Sequence, residues 1–123
     1  MSTSNQQPNS NIQKFDLLDR TAKVGEDVIE FCQNIKGSVI TNPLISQIVR
    51  SGTSIGANYA EANEANSKKD FQNKIAIAKK EAKETLHWLR MIVKADPNKR
   101  DWAAKIYKEV HELILIFAAI LKK

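Results

Sequence analysis

In the run Glu84-Thr85-Leu86-His87 a carboxylate and an imidazole stand three residues apart, the spacing at which one helix face offers two ligands to a metal. A dinuclear bundle site needs that motif twice. The second histidine, His111, is preceded three residues earlier by Lys108, so the second half-site is missing, and His87 is expected to face solvent or a subunit contact. Ser, Cys and His do not recur in an arrangement that would activate a nucleophile. The stretch SGTSIG, residues 51–56, resembles a phosphate loop, yet such a loop requires lysine after its second glycine and Ala57 follows Gly56. No catalytic residue, metal or cofactor is expected.

SGTSIG reads better as helix. Leu44, Ile48, Ser51, Ile55 and Ala62 carry helical spacing through it, so Gly52 and Gly56 share a face. Each glycine costs a helix about 1 kcal/mol relative to alanine, which the close approach of another backbone must offset. The same helix has a polar stripe, Gln47, Arg50, Ser54, Asn58 and Glu61, where a bundle would be apolar. The following helix runs back beside it with Glu81, Glu84 and Trp88, and puts Arg50 level with residues 79–80. A bidentate pair of Arg50 with Glu81 or Glu84 is expected. Such a network fixes helix register; a ligand site within the bundle is the alternative.

These residues require four helices to position them. The first is expected from about Phe15 to Lys36, with Leu18, Ala22, Gly25, Ile29, Cys32 and Ile35 on its inner face and Gly37 ending it. Asn42 is expected to cap the second (43–63), with Pro43 at its first position. Ser67, with Asp70 three residues on, caps the third (67–94), and Asp96-Pro97 opens the fourth (97–121). Phe71, Ile75, Ala78, Ala82, Thr85, Leu89 and Ile92 make one seam; Ala103, Ile106, Val110, Leu113, Phe117 and Ile120 make another. No stretch alternates like a strand. Helices of this length with short connections predict an all-α antiparallel up-down four-helix bundle.

A chain of 123 residues makes one domain, here residues 15–123, preceded by a disordered polar tail over 1–14 that has no apolar stretch of a signal peptide. The longest apolar run, LILIFAAIL at 113–121, is far shorter than a membrane span. A cytoplasmic protein without membrane contact is the expectation. Cys32 cannot form an internal disulfide and is read as a small core residue.

Net charge is +5, and Lys68, Lys69, Lys74, Lys79, Lys80 and Lys83 stand against only Asp70 and Glu81 within 68–83. That concentration suits RNA or DNA phosphates without sequence specificity. A solvated lysine face is the plain alternative, since no aromatic residues interleave the lysines. LILIFAAIL is apolar on every side, so Leu115, Ile116 and Ala119, with Trp102, fall outside the seam and call for cover by a second subunit.

The run QIVRSGTSIGANYAEANEANSKKDF followed by IAKKEAKETLHWLRMI resembles the four-helix-bundle proteins related to 23S ribosomal RNA intervening-sequence proteins, a family that includes the accessory variability proteins of diversity-generating retroelements. The resemblance covers roughly 15–121 and rests on Arg50, Ser54, Ile55, Asn58, Ala60 and Glu61, then Glu81, Glu84 and Leu89. It implies an up-down bundle in a ring-shaped homopentamer with no established enzymatic activity. For the retroelement branch it implies contact with nucleic acid and a reverse transcriptase, hence a nucleic-acid-processing protein as partner. Bundle ribonucleases show an arginine followed four to six residues later by histidine, and none of Arg20, Arg50, Arg90 or Arg100 has one.

Overall fold

Short polar side chains set the starts of the second and third helices. The computed structural model describes residues 10–123, with side chains from Asp16 onward. It contains α1 (Ser10–Gln33), α2 (Thr41–Asn63), α3 (Lys68–Ala95) and α4 (Arg100–Lys122), with a 3₁₀ turn at Pro97–Lys99 and no strand among the described residues. Ser67 caps α3 as expected, its hydroxyl accepting from the Asp70 amide at 3.0 Å. The cap of α2 differs from expectation. Ser38 Oγ, not Asn42, accepts from the Ile40 and Thr41 amides, and Thr41 Oγ1 donates to Lys36 O at 2.8 Å, so the helix starts before Pro43.

Three further boundaries move. α1 starts at Ser10, so residues 10–14, expected as tail, belong to the helix; residues 1–9 lie outside the described residues. α1 ends at Gln33, and Gly37 is not a left-handed cap, since no described glycine has positive φ. Asp96 makes no side-chain cap; the 3₁₀ turn intervenes and α4 starts three residues later than expected.

The helices pack in the cyclic order α1–α2–α3–α4, with the α1–α4 seam the thinnest, into a four-helix bundle. Its core joins Val28 and Phe31 of α1, Ile48 and Ile55 of α2, Ile75, Leu89 and Ile92 of α3, and Val110, Leu113 and Phe117 of α4, all essentially without solvent contact. Both expected seams of α3 and α4 face this core. In α1 the expected inner face is corrected by one residue: Leu17, Thr21, Val24, Val28 and Phe31 are buried, whereas Ala22 is exposed and Ile29 is 41% exposed. Phe31 and Val28 displace the smaller stripe because they fill more of the interior. Gly25, Cys32 and Ile35 are buried as expected, and Leu18 packs partly buried against the core.

Close approach of α1 and α2 accounts for the glycines. A Cβ on Gly56 would sit 3.2 Å from the Thr21–Ala22 backbone, and one on Gly52 would meet Val28 at 3.0 Å. Gly25 completes the contact from α1, facing Thr53 Cα at 3.3 Å. SGTSIG is thus a helix segment with a narrow face, as its spacing requires. No described helix is long and apolar enough to cross a membrane.

Candidate nucleic-acid interface

The lysines of α3 sort by helical angle. Lys79, Lys80 and Lys83, spaced i, i+1 and i+4, line one shallow groove with Ala76 of α3 and Leu121 of α4. Lys68 and Lys69 lie eleven residues before Lys79 and Lys80, roughly three helical turns, and so fall on the same side. All five are solvent-accessible and none has a carboxylate partner among the described residues. From Lys68 to Lys83 the stripe is about 22 Å long at 1.5 Å per residue. Lys74 stands apart: its Nζ pairs with Glu61 Oε1 at 2.9 Å, and this bond holds its pKa above the ordinary lysine value. Its hydrocarbon stem and charge bridge α2 and α3, so it leaves the basic stripe.

The polar stripe of α2 splits in the same way. Arg50 forks between two carboxylates, Nη1 to Glu81 Oε1 at 3.1 Å and Nη2 to Glu84 Oε1 at 2.6 Å, rather than gripping one of them bidentately. Desolvation works against the charge on Arg50, and the bonds to Glu84 and Glu81 outweigh it, so the guanidinium pKa is raised. Glu81 is buried at 8% exposure while the Arg50 side chain is 49% exposed, so the network lies at the bundle's edge and presents no enclosed cavity. Ser54 and Asn58 turn back on their own helix, to Arg50 O and Ser54 O, while Gln47 is exposed. Glu84 is committed to Arg50 and His87 points out, edge-on to Trp88. Among the described residues no group of three or more His, Cys, Asp or Glu gathers as a metal site.

Two polar contacts have no counterpart in the sequence reading. Ser51 Oγ and Thr85 Oγ1, both buried, share a hydrogen bond of 2.9 Å between α2 and α3. Arg20 of α1 holds Glu109 and Glu112 of α4. The repeated Glu-x-x-Glu spacing at 81/84 and 109/112 is a signal that could have pointed to both arginines. Burial pushes the Cys32 thiol up to about 11, consistent with a core role.

Of the residues expected to need cover, Trp102 packs edge-on against Phe31 at 5.6 Å and Ile116 is partly buried against the core. Leu115, at 57% exposure, and Ala119 remain open. A family model described as 23S rRNA-intervening sequence protein matches residues 13–119. The chain belongs to that family. A crystal structure from Bacteroides thetaiotaomicron VPI-5482, described as a protein with unknown function from the S23 ribosomal protein family, is similar to this member at a TM-score of 0.77 and 33% identity. The match covers 86% of this chain and 98% of that one. No curated protein is similar enough to give a match. Neither family nor structural relative indicates an enzyme.

Proposed function

We propose that this 23S rRNA-intervening sequence family member is a non-enzymatic homo-oligomer of antiparallel up-down bundles that holds RNA or DNA by its phosphates along the α3 lysine stripe. The observation that carries the reading is the convergence of Lys79, Lys80 and Lys83 on one groove, unpaired and in line with Lys68 and Lys69. A stripe of about 22 Å matches the axial length of about six base-pair steps of duplex DNA at 3.4 Å rise. The family's name links it to ribosomal RNA intervening sequences, which favours RNA as the ligand. Antiparallel topology is supported by the pairings: Glu61 meets Lys74 while Arg50 meets Glu84, and Phe31 meets Trp102 while Arg20 meets Glu109. The exposed Leu115 and Ala119 support self-association, and the resemblance supports a ring of five.

The test is the salt dependence of binding to structured RNA and duplex DNA. The log–log slope is expected at about −0.9 per phosphate contacted on duplex DNA. Lys79→Gln, Lys80→Gln and Lys83→Gln together should flatten it and weaken all sequences alike, since phosphate contacts carry no base information. Lys74→Gln should leave the slope unchanged. Absence of binding at about 50 mM salt, where screening is weak, overturns the nucleic-acid reading and leaves a protein-interaction scaffold.

A further inference from the structure

α1 carries two apolar stripes and the bundle uses one. The second places Ala22 and Ile29 at the surface beside Thr53 and Ala57 of α2, with Gly25 between them buried against Thr53, where the glycine contacts bring the two helices close. Ile29 stands out of this low face, flanked on its own helix by Glu26 and Glu30, both exposed and without a cationic partner among the described residues. α1 as a whole holds five carboxylates against three cations.

α3 and α4 face the other way. With α1–α2, α2–α3, α3–α4 and α4–α1 as the packed neighbours, the α3–α4 groove opens on the side of the bundle opposite the α1–α2 groove. It is a cleft of about 520 Å³ with an apolar floor that includes Leu89, Val93 and Ala104. Its rim carries Arg90, Arg100 and Lys108, all exposed and unpaired among the described residues. α3 holds eight cations against three carboxylates. The two patches also lie at one height along the bundle. Arg20 and Phe31 of α1 touch Glu109 and Trp102 of α4, and the acidic ridge falls between the first pair as the cleft falls beside the second.

We infer that a second copy of this chain docks its α1 ridge, Glu26, Ile29 and Glu30, into the α3–α4 cleft, with Ile29 on the apolar floor and the two carboxylates against Arg90, Arg100 and Lys108. The inference rests on the self-association proposed above and names its surfaces, which differ from the Leu115–Ala119 patch of α4. A contact between two different patches on opposite faces is head-to-tail, so successive copies close into a ring or continue as an open series. It explains why Ala22 and Ile29 stay apolar on an exposed face of α1. The cleft lies about 15 Å along α3 from the Lys79–Lys83 groove, at 1.5 Å per residue, so both surfaces can be occupied together.

Charge reversal on full-length protein tests it, read by sedimentation velocity with helicity checked by circular dichroism. Glu26→Lys with Glu30→Lys, and separately Arg90→Glu with Lys108→Glu, should each shift the assembly to the 13.9 kDa monomer while helicity is kept. All four substitutions in one chain should restore the wild-type assembly. Ile29→Ser should weaken it without any change of charge. Assembly unchanged in both reversed pairs, or lost and not restored in the combined variant, overturns the docking while leaving self-association through another face intact. A wild-type chain that sediments as a monomer overturns both.

Discussion

Arg20 donates from Nε and Nη2 to the two carboxylate oxygens of Glu109, two parallel bonds of 2.9 Å that tie the first helix to the last. A third bond of 2.8 Å runs from Nη2 to Glu112. These bonds, set against partial burial, hold the Arg20 pKa above its ordinary value. The clamp lies on the thinnest seam of the bundle, where apolar packing does least. Arg50 does the same for α2 and α3 with Glu81 and Glu84, so two arginines each hold a Glu-x-x-Glu pair on the neighbouring helix.

Arg20→Ala should therefore destabilise the fold by about 1–2 kcal/mol, above an ordinary surface pair because the fork is bidentate and the arginine side chain is only 24% exposed. Arg20→Lys should recover less than half of this, since an ammonium cannot make the parallel fork. Urea denaturation of both variants, with Glu109→Gln to close a double-mutant cycle, measures it.

Arg50→Ala acts through its partner. Glu81 is buried and would be left without a cation, which predicts a loss of about 1–3 kcal/mol, the range for stranding a buried polar group. The half-exposed guanidinium keeps the figure below that of a fully buried pair. Adding Glu81→Gln should recover part of the loss in the same melts; no recovery would place the cost in the arginine's own packing.

Gly56→Ala sets helix propensity against space. Alanine gains about 1 kcal/mol of propensity, but its Cβ would lie 3.2 Å from three backbone atoms of Thr21 and Ala22, which cannot rotate away. Overpacking of this kind costs about 1–3 kcal/mol, so the net expectation is a lowered melting temperature. Gly37→Ala should change stability by less than about 0.5 kcal/mol, because the nearest atom is the mobile end of Asn42.

Cys32 gives a pH signature. Burial raises its folded pKa from 9.0 to about 11, so the native thiol stays protonated while an unfolded chain ionises first. Its stabilising contribution is complete below pH 9 and declines as pH rises towards about 11. Cys32→Ala should reduce that decline in denaturation curves across the window. At pH 8, alkylation of the native protein by iodoacetamide should be slow and should become fast on unfolding.

Spacing and caps on their own determined four helices, the core faces of α3 and α4, the Ser67 cap and the helical state of SGTSIG. These depend on residues within a few turns of one another, where the 3.6-residue period and local hydrogen bonds act. The same chemistry made Cys32 a core residue and brought Arg50 to Glu81 and Glu84, because a short connection leaves α2 and α3 few registers. Tertiary structure alone decided the rest. α1 carries two apolar stripes, and only the volume left by the other three helices selects Val28 and Phe31 over Ala22 and Ile29. Arg20 reaches Glu109 across 89 residues of sequence; the Glu-x-x-Glu spacing at 109/112 marks a place for a cation, but only the closure of the bundle brings Arg20 to it. Lys74 and Lys79 look alike in sequence, yet one pairs with Glu61 and the other lines an open groove beside Leu121, because a helix rotates by 100° at each residue and its neighbours lie on one side only.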